Sequence, residues 1–225
     1  NFEPFLKITK WKAKKILAMN SSVEKVLNPN TTKLNIVPSV SSEQYHCSLP
    51  KKQGKIIELS AGRLVPLKGF DVTVRSFARF FHQLTVQQQK NTELILVGNG
   101  SEKKLIEAII QEEKIEGSVL MIDWVERKEL MKIYEDASVF LFPSHEGAGM
   151  VISEALSFGL PIICFDNDGP GELIDKSCGL SVAYKDYDTC IREFAAYLKV
   201  LFEDKKTYHL LSHGAVQKFE KTFDW

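Results

Sequence analysis

Six short apolar runs punctuate this chain: KIIELSA (55–61), ELILVG (93–98), VLMID (119–123), SVFLFP (138–143), LPIICFD (160–166) and GLSV (179–182). Amphipathic, helix-period stretches lie between them at 69–86, 101–114, 127–136, 150–158 and 170–175. A run that is apolar at successive positions suits a strand covered on both faces, the condition of a parallel sheet. Strands and helices in alternation predict a doubly wound, Rossmann-like α/β domain. Such folds bind ligands beyond the carboxyl ends of the strands, where the strand order reverses. The loops that begin at Gly62, Gly98, Trp124, Ser144 and Asp166 are therefore expected on one rim. Residues 187–221 read as two helices separated near Asp204 and Lys205, and FEKTFDW keeps an aromatic periodicity that would dock on the domain.

Residues 1–50 differ in character. KITKWKAKKILAMN predicts a basic helix or coil feeding a short strand, SSVEKVLN a short capped helix and KLNIVPSV a second strand; SVSSEQYHCSLPKKQGK reads as a polar linker. This places the end of a preceding domain in 1–50 and a full domain in 51–225. The chain opens on Asn1 without methionine, so a segment of a longer protein is expected. Lys7, Lys10, Lys12, Lys14 and Lys15 surround Trp11 and would suit an anionic membrane surface, with a solvated helix face as the preferred reading.

Lys plus Arg equals Asp plus Glu at 29 each, so bulk charge gives no case for nucleic acid and any anion site must be local. The four cysteines, Cys47, Cys164, Cys178 and Cys190, lack metal-type spacing; Cys164 lies within PIICF, where a buried thiol is expected. A reducing, cytoplasmic setting follows from that usage. No apolar run approaches the ~18 residues of a membrane span.

Three motifs carry chemistry. In GRLVPLKGFD (62–71), Arg63 and Lys68 bracket a turn before a helix, placed to clamp a diphosphate through charge-assisted hydrogen bonds; solvated loop charge is the ordinary alternative. GNG (98–100) brings backbone close to the rim. Lys103 stands where a nicotinamide fingerprint needs glycine, and no P-loop is present. In HEGAGMVISEALSFGLP (145–161), Glu146 and Glu154 flank a glycine turn with seven residues between them. Backbone N–H groups at a helix start attract phosphate, and flanking carboxylates suit sugar hydroxyls. Dipole compensation would explain Glu146 alone and a solvated helix face Glu154 alone, but neither explains Gly147–Ala148–Gly149. Val151, Ile152, Ala155 and Leu156 form the sheet-facing stripe, which leaves Glu154 to point at the rim. His145 is a base candidate, more often a structural residue. Asp166, Asp168 and Glu172 in DNDGPGE do not match a calcium loop.

Taken in order, GRLVPLKGFD, ELILVGNGSEKKLIEAI, ELMKIYEDASVFLFPSHEGAGMVISEALSFGLPIICFD and GPGELI resemble the retaining GT-B glycosyltransferases of family 4. The resemblance covers about 20–225 and is strongest over 55–185. It implies the C-terminal donor-binding domain, with residues 1–50 a remnant of the N-terminal acceptor domain. By resemblance, Arg63 and Lys68 neutralise the donor diphosphate, Glu146 contacts donor-sugar hydroxyls as first acid of the E-x7-E motif, and Glu154 holds the ribose. Gly147, Ala148, Gly149, Met150 and Val151 form the turn facing sugar and phosphate, while Gly62, Gly98, Trp124 and Val125 lie near the nucleotide. Ala148 and the GPGE loop depart from the usual family pattern.

The expected activity is transfer from a nucleotide sugar to an acceptor hydroxyl with retention, in surface polysaccharide or glycolipid synthesis. The donor is expected to be a UDP-sugar, or else a GDP-sugar, with no obligate metal. The acceptor is expected to be a saccharide or lipid-linked saccharide, held by the N-terminal domain at the cytoplasmic side of a membrane. This chain alone should bind donor weakly and catalyse little. A GT-B sugar-nucleotide epimerase and a catalytically silent nucleotide-sugar-binding module are the alternatives.

Overall fold

The computed structural model describes residues 55–146 and 149–223, with the pieces 12–14, 16–18, Val23, Lys25 and 34–36 before them. Strand β1 (Ile16–Ala18) pairs in parallel with β2 (Leu34–Ile36). The expected linker and most of the basic segment lie outside the described residues.

The main sheet holds β3 (Ile56–Ala61), β4 (Thr92–Val97), β5 (Val119–Ile122), β6 (Val139–Phe142), β7 (Ile162–Phe165) and β8 (Gly179–Val182). Their order is β5-β4-β3-β6-β7-β8, with every pairing parallel. The connections are α1 (Phe70–Phe81), α2 (Val86–Gln89), α3 (Lys103–Glu112), α4 (Arg127–Asp136), α5 (Met150–Ser157) and α6 (Pro170–Leu173); α7 (Tyr187–Glu203) and α8 (Lys205–Thr222) follow. This is the doubly wound, Rossmann-like α/β architecture that the alternation predicts. Progress along the chain reverses direction across the sheet between β3 and β6.

The period-2 geometry of strands explains why the runs are apolar throughout. Leu59, Ile95, Phe140, Phe142 and Ile162 share a core with Tyr134, Ile152, Leu156, Ala215 and Phe219 from α4, α5 and α8. Their neighbours in sequence face the other way. Leu94 and Leu96 pack with Phe70, Val74, Phe77, Ile106 and Ile110, and Leu141, Ile163 and Phe165 with Phe194 and Leu198. Each such fully buried side chain contributes about 1.5–3 kcal/mol of transfer free energy.

The helix expected over 69–86 is two. Thr85 accepts from the Gln88 backbone and Gln88 bonds back to the Thr85 N–H, a capping box that starts α2 after a turn. The helix expected over 170–175 is shorter, Pro170–Leu173. The break at Asp204 falls as expected: its carboxylate accepts from Lys206 and Thr207 and caps α8. Cys164 is buried as a free thiol, and burial raises its pKa. Among the described residues no helix is long and apolar enough to cross a membrane.

Candidate functional site

The loops at the carboxyl ends of the strands are laced to one another through the backbone. Gly62 donates to the Val97 carbonyl at 2.9 Å, Gly98 to Ile122 at 2.8 Å and Leu64 to Asn99 at 3.0 Å. The approach is so close that a Cβ on Gly98 would overlap the Gly62 carbonyl oxygen. Only glycine fits there. On the other side of the reversal point, the Leu67 carbonyl accepts from the His145 N–H at 2.8 Å and the Ser144 hydroxyl at 3.2 Å. Asn167 donates to the Ser144 carbonyl at 2.8 Å and so ties in the loop after β7.

Lys68 ends the 3₁₀ turn Pro66–Lys68, and Gly69 follows in the left-handed region with φ 65°. The turn carries the Lys68 stem over Gly62 and its ammonium onto the Glu146 carboxylate, as an ion pair across the β3–β6 seam. The lysine side chain is 12% and the glutamate side chain 23% exposed. The ammonium also sits 5.2 Å from the Phe142 ring centroid, a cation–π contact. Arg63 is exposed and makes no ion pair among the described residues.

Beside this pair lies an open cleft of ≈ 500 Å³, lined by Gly62, Arg63, Gly98, Trp124, Val125 and Val151 among others. Trp124 stands at its edge, 77% exposed. Lys103 bonds Asp123 at 2.6 Å and Asn99 reaches the same carboxylate at 3.2 Å, so the residue that breaks the nicotinamide fingerprint serves as a strut between two loops.

Glu154 lies off the apolar stripe and is buried, not the solvated helix-face acid of the ordinary alternative. Its side chain is 6% exposed and accepts from the Arg127 guanidinium at 3.1 Å. α5 is covered nearly all round because α8 packs over it, with Ser212 donating to the Gly159 carbonyl at 2.7 Å. Tyr134 is buried against the same carboxylate. Burial first, then the charge on Glu154, raises its pKa well above the usual value, although its hydroxyl finds no partner in hydrogen-bonding geometry. The sequence reading missed Arg127 and Tyr134, whose roles depend on a helix that is remote in sequence from Glu154.

Gly149 starts α5, Met150 is exposed and Val151 is half-buried on the cleft side. Gly147 and Ala148 lie outside the described residues. His145 stacks on Phe165 at 4.8 Å and meets Tyr184 edge-on at 5.3 Å, which favours its structural reading. Among the described residues, no three His, Cys, Asp or Glu side chains gather as metal ligands, Asp166, Asp168 and Glu172 included.

Residues 41–217 match the family model of the glycosyl transferases group 1. The chain belongs to that family. It is 31% identical over 156 residues to an uncharacterized glycosyltransferase of Haemophilus influenzae, covering 67% of this chain and 41% of the relative. An O-antigen chain mannosyltransferase B of Escherichia coli is 27% identical over 169 residues, 74% of this chain and 42% of the relative. The chain thus spans about two fifths of the length of these curated relatives. Among solved structures, the pneumococcal O-GlcNAc transferase GtfA in complex with UDP and GlcNAc superposes with a TM-score of 0.80 at 21% identity, covering 99% of this chain and 44% of that one. The fold is that of a GT-B C-terminal domain.

Proposed function

We propose that this group 1 family member is the donor-binding half of a retaining, two-domain glycosyltransferase of family 4. Residues 51–225 form the donor domain, and residues 1–50 end an acceptor domain that precedes it. The observation that carries the reading is the meeting of Lys68 and Glu146 at the reversal point of the sheet, with the Lys68 stem over Gly62, a residue of the cleft wall.

In this reading the base and ribose lie in the cleft against Trp124, Val125 and Val151, with Gly62 and Gly98 allowing close approach. Arg63 and Lys68 face the diphosphate. As the glycosidic bond breaks, negative charge grows on the leaving phosphate, and fixed cations stabilise it most where water is excluded. Glu146 and the turn Gly147–Met150 hold the donor sugar, with Glu146 as a hydroxyl acceptor rather than a covalent nucleophile. Glu154 accepts from the ribose. The acceptor hydroxyl, placed by the other domain, attacks on the face that the phosphate leaves, with the configuration retained. Positioning supplies the remainder of the rate.

UDP-sugars are the leading donors, supported by the UDP in the GtfA complex, with GDP-sugars second. O-antigen synthesis by the Escherichia coli relative supports a saccharide or lipid-linked acceptor at the cytoplasmic face of a membrane. Neither the fold nor the family match favours an epimerase.

The test is a thermal-shift panel of UDP-, GDP- and ADP-sugars on this chain. One nucleotide class should stabilise it, and Lys68→Ala should abolish the shift. No response to any of the three overturns the reading. Transfer by the full-length protein separates an enzyme from a silent binding module.

A further inference from the structure

We propose that His145 and Tyr184 form a platform for a pyranose ring of the acceptor saccharide, so that this domain supplies part of the acceptor site itself. The assignment to the acceptor rests on the donor-site reading; the platform rests on the geometry of the rings.

Three segments meet at the carboxyl ends of β6, β7 and β8. Phe165 ends β7, is 1% exposed and meets Phe194 of α7 edge-on at 5.1 Å, so the core fixes it. The His145 imidazole stacks on that ring at 4.8 Å, with 26° between the planes. Tyr184, in the loop after β8, stands across both. Its ring is 5.3 Å and 81° from the imidazole, and 5.7 Å and 71° from Phe165. His145 is exposed, and Tyr184 is 69% exposed. Two open rings are thus held nearly at right angles, backed by a third that the core anchors. The backbone joins in, because the Asp166 N–H donates to the Val182 carbonyl at 2.8 Å and ties the loop after β7 to the end of β8.

An aromatic corner of this kind suits a sugar. A pyranose presents C–H bonds on its face, which meet the negative face of an aromatic ring, and hydroxyls at its rim, which need polar atoms. The imidazole nitrogens and the Tyr184 hydroxyl supply polar edges, and the exposed Asp166 follows Phe165 directly. Rings already held by their neighbours lose little freedom when a ligand stacks on them.

Position decides which sugar. The His145 N–H donates to the Leu67 carbonyl at 2.8 Å, and the residues that follow these two, Glu146 and Lys68, form the ion pair at the reversal point. The cleft opens on the β3, β4 and β5 side of that pair, lined by Gly62, Gly98 and Trp124. The platform lies on the other side, over β6, β7 and β8. From β6 to β8 the rim extends two strand spacings, about 10 Å. A donor sugar at Glu146 occupies the pair itself, so the ring that reaches Tyr184 is the next one along, that of the acceptor.

The experiment is saturation-transfer NMR on the 225-residue chain with the methyl α-glycosides of glucose, galactose, mannose and N-acetylglucosamine. Each is measured with and without whichever of UDP-, GDP- and ADP-glucose stabilises the chain most. At least one glycoside should receive saturation at its ring C–H protons and keep it when the nucleotide sugar is added. Tyr184→Ala should weaken that glycoside about fivefold, the scale of one aromatic contact, and Tyr184→Phe less than about twofold. Both variants should bind the nucleotide sugar as the unaltered chain does. An exposed side chain can be removed without unfolding the protein, and His145→Ala, which takes away the other ring, should show the same selective loss. No transfer to any of the four glycosides, or equal glycoside affinity in Tyr184→Ala, overturns the inference; continued binding of the nucleotide sugar then leaves the donor-site reading intact. Displacement of the glycoside by the nucleotide sugar gives the platform to the donor and overturns the assignment to the acceptor. Glycoside binding that depends on Tyr184 in a chain that binds no nucleotide sugar upholds the platform and removes the donor-site reading.

Discussion

The Lys68 ammonium rests on the Glu146 carboxylate across the seam where the strand order reverses, joining the loop after β3 to the loop after β6. A phosphate that engages Lys68 must therefore compete with a carboxylate, and a sugar hydroxyl that engages Glu146 must compete with an ammonium. In the proposed donor site, the contacts to phosphate and to sugar would be coupled through this one ion pair.

That coupling separates two variants. Lys68→Ala should weaken nucleoside-diphosphate binding at least about tenfold, as loss of a charge-assisted contact does. Glu146→Gln should bind the bare diphosphate at least as tightly as the unaltered chain, yet gain nothing when the sugar is attached. Calorimetry with the nucleotide and its sugar ester measures both effects, and a parallel loss in Glu146→Gln would contradict the coupling.

Trp124 is 77% exposed at the cleft edge, so its removal should leave stability within about 0.5 kcal/mol. Trp124→Phe should retain most nucleotide affinity, whereas Trp124→Ala should lose about tenfold, the range of one aromatic stacking contact. Quenching of tryptophan fluorescence on nucleotide addition, absent in both variants, checks the placement.

Gly98→Ala should cost about 2–4 kcal/mol, because the new methyl group overlaps the Gly62 carbonyl oxygen and backbone must move. Gly117→Ala is the control, since nothing lies within 4 Å of its Cβ position. Urea unfolding of the two variants should separate them cleanly.

Asp175 supplies a pH signature. The Ser177 hydroxyl first, then the Ser177 backbone N–H and Lys218, lower its pKa from 3.8 to about 2 against the opposing effect of burial. A depressed carboxylate stabilises the fold above its unfolded pKa and loses that contribution as pH falls through the folded one. The side chain is 52% exposed, so screening holds the effect to about 1 kcal/mol or less. Asp175→Asn should lower stability near pH 5, and the difference should shrink steadily as pH falls from about 4 towards about 2, by denaturant unfolding across that range.

Much of the fold was legible because its determinants are local. Each of the six apolar runs became a strand, with neither end displaced by more than two residues. The strand order was not legible, because pairing between β3 and β6 joins residues some eighty positions apart. The acid at Glu146 announced itself through the glycine turn that follows it. The burial of Glu154 could not, since it depends on α8 closing over α5 and on Arg127 arriving from α4. The split after α1 was written in the sequence as Thr85 and Gln88, a capping box in a segment read as continuous helix.

The backbone lacing around Gly62, Gly98 and Leu64 has a consequence for how such a cleft diversifies. Its shape is set by main-chain contacts that need glycine at position 98, while the exposed side chains of Arg63 and Trp124 decorate it. Exchange of those side chains changes what the wall says to a ligand without reopening the question of how the wall is built. Descendants of this chain can take up new chemistry one substitution at a time, each step remaining folded.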